Sequence, residues 1–201
     1  MHNSSILNRN YYFGDVHKVA ESLLGKIFVR KLKGNILSGK IVEVEAYDGL
    51  IDEASHAFNG KTKRNEVMFK QGGLLYVYFT YGMHYCANVV TGNIDDPKAV
   101  LLRGIEPLEG IEQMSLNRFG IKSFTQKEFI NLTNGPAKLC KALGIQRSEN
   151  GTDLTGEEIF ILDSPNLNKS EIIITTRIGV NKSISLPWRY YIKNNRFVSK
   201  K

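Results

Sequence analysis

The chain has 201 residues, 42% hydrophobic, 10% aromatic and 23% charged, a globular balance that excludes collagen-like, coiled-coil and disordered chains. Lysine and arginine number 27 against 20 aspartates and glutamates, a formal net charge of +7, which favours a polyanionic partner and says nothing of fold. The length suits one domain, residues 1–201, able to bury a core without metals or disulfides.

The N-terminus, Met1 to Asn10, is too polar for a signal peptide, and no apolar run reaches the roughly eighteen residues of a membrane span. The expectation is a cytoplasmic chain with no membrane partner. Asp15 can cap a helix carrying Val16, Val19, Ala20, Leu23 and Leu24 on one face, with Gly25 as its stop. Lys26 to Leu32 reads as a strand, Lys33 to Asn35 as a turn, and Ile36 to Tyr47 as a second strand. Residues 48–73 are rich in turn formers and poor in periodic apolar positions, so a long ordered loop is expected; loops of that length are usually functional.

Leu74 to Thr80 is the most β-like segment, followed by a Tyr81-Gly82-Met83 turn and His84 to Val90, a hairpin with aromatic residues near its tip. Val100 to Ile105 reads as a strand and Leu108 to Arg118 as a helix. Thr125 to Glu128 has a capping-box pattern, and Gly135-Pro136 opens a helix that stops at Gly144. Glu158 to Leu162, Glu171 to Ile178 and Trp188 to Ile192 complete the strands. Because strands and helices do not alternate regularly, the pattern predicts a mainly antiparallel α+β domain rather than a doubly wound sheet.

Two cysteines, Cys86 and Cys140, lie in separate apolar stretches, and four scattered histidines show no zinc spacing. The cysteines read as buried small hydrophobes in a reduced protein, with no zinc site. On the strand at 41–47, Glu43, Glu45 and Tyr47 share one face. Alone, that is the polar side of a half-exposed strand. With Ala54-Ser-His56, Lys63-Arg64-Asn65 and a tyrosine-rich hairpin following, it is also a set of parts for gripping a flat polar ring and activating water beside it.

Tyr76, Tyr78 and Thr80 share a hairpin face, Tyr76 reading first as a core residue. Tyr81 sits at the tip, where a core role is hard to arrange, and in a basic protein such an aromatic can wedge into a base stack. Arg103, in an otherwise apolar strand, must find a carboxylate: Glu106 for an ordinary ion pair, or a glutamate of the site. The basic runs, Lys61, Lys63 and Arg64 among them, each read as a solvated face and jointly supply charge for a phosphate backbone. Walker, GxGxxG, HExxH and GxSxG signatures do not occur.

The ordered set Val42 to Tyr47, Ala54 to His56, Lys63 to Phe69, Leu75 to Asn88, Val100 to Arg103 with Glu106 to Gly110, Gly135 to Cys140, Arg177 to Gly179 and Leu186 to Tyr191 resembles the alkyladenine (3-methyladenine) DNA glycosylases over nearly the whole chain. The resemblance implies a single domain with a curved, mainly antiparallel sheet, flanking helices and a protruding β-hairpin. It implies a monomeric, cofactor-free enzyme that hydrolyses the N-glycosidic bond of damaged purines in duplex DNA, with no covalent intermediate. By motif, Glu45 would activate the water with help from Arg103. Tyr47, His56 and Tyr78 would hold the flipped base, and Asn88 would crowd the exocyclic amine of guanine. Tyr81 would fill the gap in the duplex, with Met83, Lys63 and Arg64 also on DNA. Val44, Asn59 and Lys63 depart from the family's common threonine, arginine and proline.

Three other readings stay open. Glu43 and Glu45, two apart on one strand, fit a two-carboxylate carbohydrate hydrolase. A lysine amine could serve a lyase-type glycosylase. A non-catalytic binder of damaged DNA would need the same basic surface.

Overall fold

In the computed structural model, which describes residues 5–200, helix α1 spans Val16–Leu23, and the Asp15 carboxylate accepts the His17 and Lys18 amide hydrogens, as expected. Such a cap contributes about 1 kcal/mol. The face carrying Val16, Val19, Ala20 and Leu23 is buried against the sheet. Truncating Leu23, which has no exposed surface, would cost about 2–5 kcal/mol.

The sheet has eight strands: β1 Ile27–Leu32, β2 Asn35–Asp48, β3 Leu75–Thr80, β4 His84–Thr91, β5 Lys98–Glu109, β6 Ile159–Leu162, β7 Ile172–Thr175 and β8 Arg189–Ile192. Their order is β3-β4-β5-β2-β1-β6, with β8 joining β2 and β7 joining β8, and every pairing is antiparallel. One edge of β2 serves two partners, β1 along residues 35–40 and β8 along 43–45. That division accompanies a curling of the sheet into a half-barrel. Helices α1, α2 (Ile111–Phe119), α3 (Gln126–Ile130) and α4 (Pro136–Leu143) complete the α+β domain. Thr125 and Glu128 form the expected capping box, and Gly144 ends α4 in the left-handed region.

Two expected boundaries are corrected. Strand β5 runs on through Pro107 to Glu109, so α2 begins at Ile111 rather than at 108, after Gly110 turns the chain. Strand β7 stops at Thr175 rather than 178, because Arg177 turns inward to Asp52 and the Ile178 amide turns to Glu45.

Around Glu43, the ladder between β2 and β5 carries two compensating irregularities. Ile41 pairs Ile105, Glu43 pairs Gly104 and Val44 pairs Leu102, so Val42 is extra on one strand and Arg103 on the other. Bulges of this kind re-aim side chains. Gly104 belongs to the same device, since a Cβ there would stand 2.7 Å from the Phe197 carbonyl oxygen.

The main core lies between the sheet and α1, α2 and α4. A second cluster, of Ala57, Val67, Met68, Tyr76, Val90 and Ala99, fixes the 48–73 segment onto the sheet. Asn65, almost wholly buried, closes that segment: its amide donates to the carbonyls of His56 (2.8 Å) and Gly60 (2.9 Å). The expected loop is thus rigid, and it presents His56.

Candidate active site

A cavity of about 520 Å³ opens between the 48–73 loop, the β3–β4 hairpin and the residues after β7, within the size range of small-molecule sites. Tyr47, His56, Tyr76, Tyr78, Asn88 and Arg103 line it, with Tyr81 at its margin. One half of the hairpin prediction is direct: Tyr76, Tyr78 and Thr80 share a strand face, and all three face the cavity. Tyr76 is buried, as its core reading expects, yet its hydroxyl lies 3.1 Å from Nδ1 of His56.

The face bearing Glu43, Glu45 and Tyr47 is not solvated. Both glutamates have no exposed surface, because the Arg103 and Arg189 side chains and the backbone at Ile178 and Ser199 close over them. Glu45 Oε2 accepts from the Tyr47 hydroxyl (2.9 Å) and from Arg103 Nη1 (3.2 Å), and Oε1 accepts from the Ile178 amide (2.7 Å). Tyr47, Arg103 and Ile178 all line the cavity, so the carboxylate lies directly behind its wall.

Glu43 has a different environment. It accepts from Arg103 Nε (3.2 Å), Arg189 Nη1 (2.9 Å), and the Ser199 amide (2.6 Å) and hydroxyl (2.9 Å). Like Glu45 it does not itself line the cavity, but of its partners only Arg103 does. Arg103 therefore has both glutamates as partners, while Glu106, the other candidate, pairs instead with Lys40 and Asn195.

These contacts set the proton affinities. Burial pushes the Tyr47 phenol well above its ordinary value, and the Glu45 charge and hydrogen bond push the same way, so Tyr47 remains a donor. Tyr76 is pushed up to about 12 by burial, and Tyr78 is raised further, by burial and then by Cys86 beside it. Burial disfavours a charged Arg103, but Glu45 and Glu43 more than offset this and hold the guanidinium cationic. The His56 imidazole is lowered, first by burial against its neighbours and then by the charge of Arg64. His56 packs edge-on to Tyr78 with ring centres 4.4 Å apart. The cavity thus offers flat aromatic faces, a neutral imidazole and a carboxylate held by three donors.

The hairpin tip is built from the opposite material. Tyr81 is 83% exposed and Met83 70%. Tyr81 and Gly82 have φ of +51° and +67°, as a type I′ turn requires, and a tyrosine there carries backbone strain that glycine avoids. Met83 borders a neighbouring depression with His84, Tyr85 and Lys141 rather than the cavity. Arg64 stands at the mouth, 5.8 Å from the Tyr78 ring centre, while Lys63 is exposed beside it and does not reach the cavity. Asn88 is nearly buried and donates to the Tyr76 carbonyl (3.2 Å).

Both cysteines are free and buried, but Cys86 lines the cavity rather than the core. Burial raises its thiol. Sequence reasoning also missed the Ile178 amide, the Asp52–Arg177 pair and the Ser199 contact, all of which depend on chain reversals that leave no local pattern. Among the described residues no cluster of histidine, cysteine, aspartate and glutamate could hold a metal, and no helix is long and apolar enough to cross a membrane.

A family model described as "Methylpurine-DNA glycosylase (MPG)" matches residues 10–196. A protein of Clostridium botulinum is 48% identical over 204 residues, covering 98% of this chain and 100% of its own length. One of Carboxydothermus hydrogenoformans is 50% identical over 197 residues, with 98% and 100% covered. One of Francisella tularensis is 48% identical over 185 residues, with 90% and 92% covered. Each of the three is named "Putative 3-methyladenine DNA glycosylase".

Proposed function

The chain belongs to the methylpurine-DNA glycosylase family, and from that premise we propose that it excises alkylated purines of the 3-methyladenine class from duplex DNA. It hydrolyses the N-glycosidic bond as a cytoplasmic, monofunctional monomer and leaves an abasic site. The observation that carries this reading is a single carboxylate, Glu45, fixed by Tyr47, Arg103 and Ile178 directly behind an aromatic cavity.

A base inside a duplex shields its glycosidic bond, so the nucleotide must leave the stack at a cost of a few kcal/mol. Stacking on aromatic faces returns about 1–3 kcal/mol per base, which Tyr47 and Tyr78 supply in the cavity while Tyr81 fills the vacated step. A 3-alkylated adenine is cationic, so phenol faces attract it and the weakened bond releases it readily. Glu45 then takes a proton from water: Oε1 is met by one donor and keeps a lone pair for a water hydrogen. Such a base contributes about 10²–10⁴-fold in rate. Arg103, held cationic between the two glutamates, positions that water and the carboxylate. Asn88, pinned to the Tyr76 carbonyl, stands where the exocyclic amine of guanine would press. Arg64, Lys63 and Met83 lie on the side that meets the backbone and grooves.

Glu43 weighs against a two-carboxylate sugar hydrolase, because four donors occupy it away from the cavity. The test is release of free base from duplex DNA carrying 3-methyladenine or hypoxanthine. A Glu45→Gln protein as fast as the parent overturns the mechanism, and a borohydride-trapped protein–DNA adduct would establish lyase chemistry instead. Binding with no base release would leave a damaged-DNA binder.

A further inference from the structure

Glu45 does not hold its own position. The amide that meets its Oε1 belongs to Ile178, and the preceding residue, Arg177, is buried together with Asp52, neither side chain having exposed surface. Arg177 Nη2 donates to Asp52 Oδ1 (2.8 Å), and Nη1 donates to Asp52 Oδ2 (2.5 Å) and to the Ala46 carbonyl (3.1 Å), which lies between Glu45 and Tyr47. The guanidinium also lies 4.6 Å from the Tyr47 ring centre and 5.1 Å from that of Trp188. Asp52 Oδ1 accepts in addition from the Ala54 amide (3.0 Å), opening the turn that leads to His56.

Neither Arg177 nor Asp52 lines the cavity, and their hydrogen bonds go to each other and to the backbone at Ala46 and Ala54. A buried ion pair is weak grounds for stability, since apolar packing often does as well. Here the donors go to the peptide and the ring that flank the carboxylate. We propose that Asp52 and Arg177 are positioning residues for base excision: they hold the Ile178 amide on Oε1 and keep Tyr47 in place to hold Oε2. They act through Glu45, and the inference rests on Glu45 being the general base. Lysine at 177 would keep the charge and lose the two-pronged grip.

The test is single-turnover release from a duplex carrying one 3-methyladenine, a cationic purine, by the parent, Arg177→Lys, Glu45→Gln and the double variant. Arg177→Lys should slow release about 10²-fold, the scale of an ångström-sized misplacement, with affinity for the same duplex unchanged within about threefold. In the Glu45→Gln background the same lysine should cost nothing further, because residues that act as a unit are not additive. Equal slowing in both backgrounds would mark a merely structural pair and overturn the proposal, as would a parental rate for Arg177→Lys. If Glu45→Gln is itself as fast as the parent, the underlying assignment of the base has failed instead. Should Arg177→Lys not fold, Asp52→Asn enters the same cycle, with a loss of about tenfold expected and the same two outcomes against it.

Discussion

The cavity floor and the hairpin tip, whose Tyr81 stands at the margin of the same cavity, are made by opposite means. The floor, meaning the wall at Arg103 and the layer directly behind it, is charge taken out of water: Glu43, Glu45, Arg103, Arg177 and Arg189 are all buried and paired. The tip is apolar surface left in water, Tyr81 and Met83, on a turn strained at Tyr81. Neither arrangement favours the folded chain by itself, since buried charge loses hydration and exposed aromatics gain no burial. On the proposed function, what the two share is preparation for a ligand, the floor for a reaction that needs fixed charges and the tip for a surface that is absent until DNA arrives.

The contrast breaks first on Glu45→Gln. Base release should fall by about 10²–10⁴-fold, measured in single turnover, while lesion binding stays near parental. Glu43→Ala should separate stability from chemistry: it leaves Arg189 with no carboxylate and Arg103 with Glu45 alone, so urea unfolding should show a loss of about 3–5 kcal/mol. A stable, slow variant would mean that Glu43 belongs to the reaction rather than to its scaffold. At the tip the pattern inverts. Tyr81→Ser should weaken lesion binding by about 1–3 kcal/mol with no loss in thermal stability, and unchanged affinity would remove the wedge.

The smallest effect concerns pH. Because His56 is held below its ordinary value of 6.5, the unfolded chain takes up this proton first, so charging it opposes folding only as the pH drops below that value. A charged His56 would also repel a cationic purine between the tyrosines. Affinity for 3-methyladenine duplexes should therefore be level above pH 6.5 and decline below it, and His56→Asn should flatten that decline. Identical profiles for parent and variant would exclude His56 as the cause.

Much of this was legible in the chain. Period two put Glu43, Glu45 and Tyr47 together and aligned Tyr76, Tyr78 and Thr80, and turn chemistry placed Tyr81 at a tip. Asp15, Thr125 and Gly144 announced helix ends by local hydrogen bonding and backbone preference. The reading faltered where distant segments decide. Nothing local to Glu43 shows that Ser199 will cap it, and an isolated strand pattern cannot tell a solvated polar face from one roofed by a later strand. Arg103 had two plausible partners at the sequence level, and only the double irregularity between β2 and β5 selects Glu43 and Glu45 over Glu106.

That irregularity constrains how the site can be inherited. Removing one residue near Arg103 would reverse the facing of the strand beyond it and swing the guanidinium out of the floor. Exchanges of side chain can tune the chemistry by degrees, but a change of length within these few positions abolishes it at a stroke. Descendants of this chain should therefore differ there in spelling and keep the same number of letters.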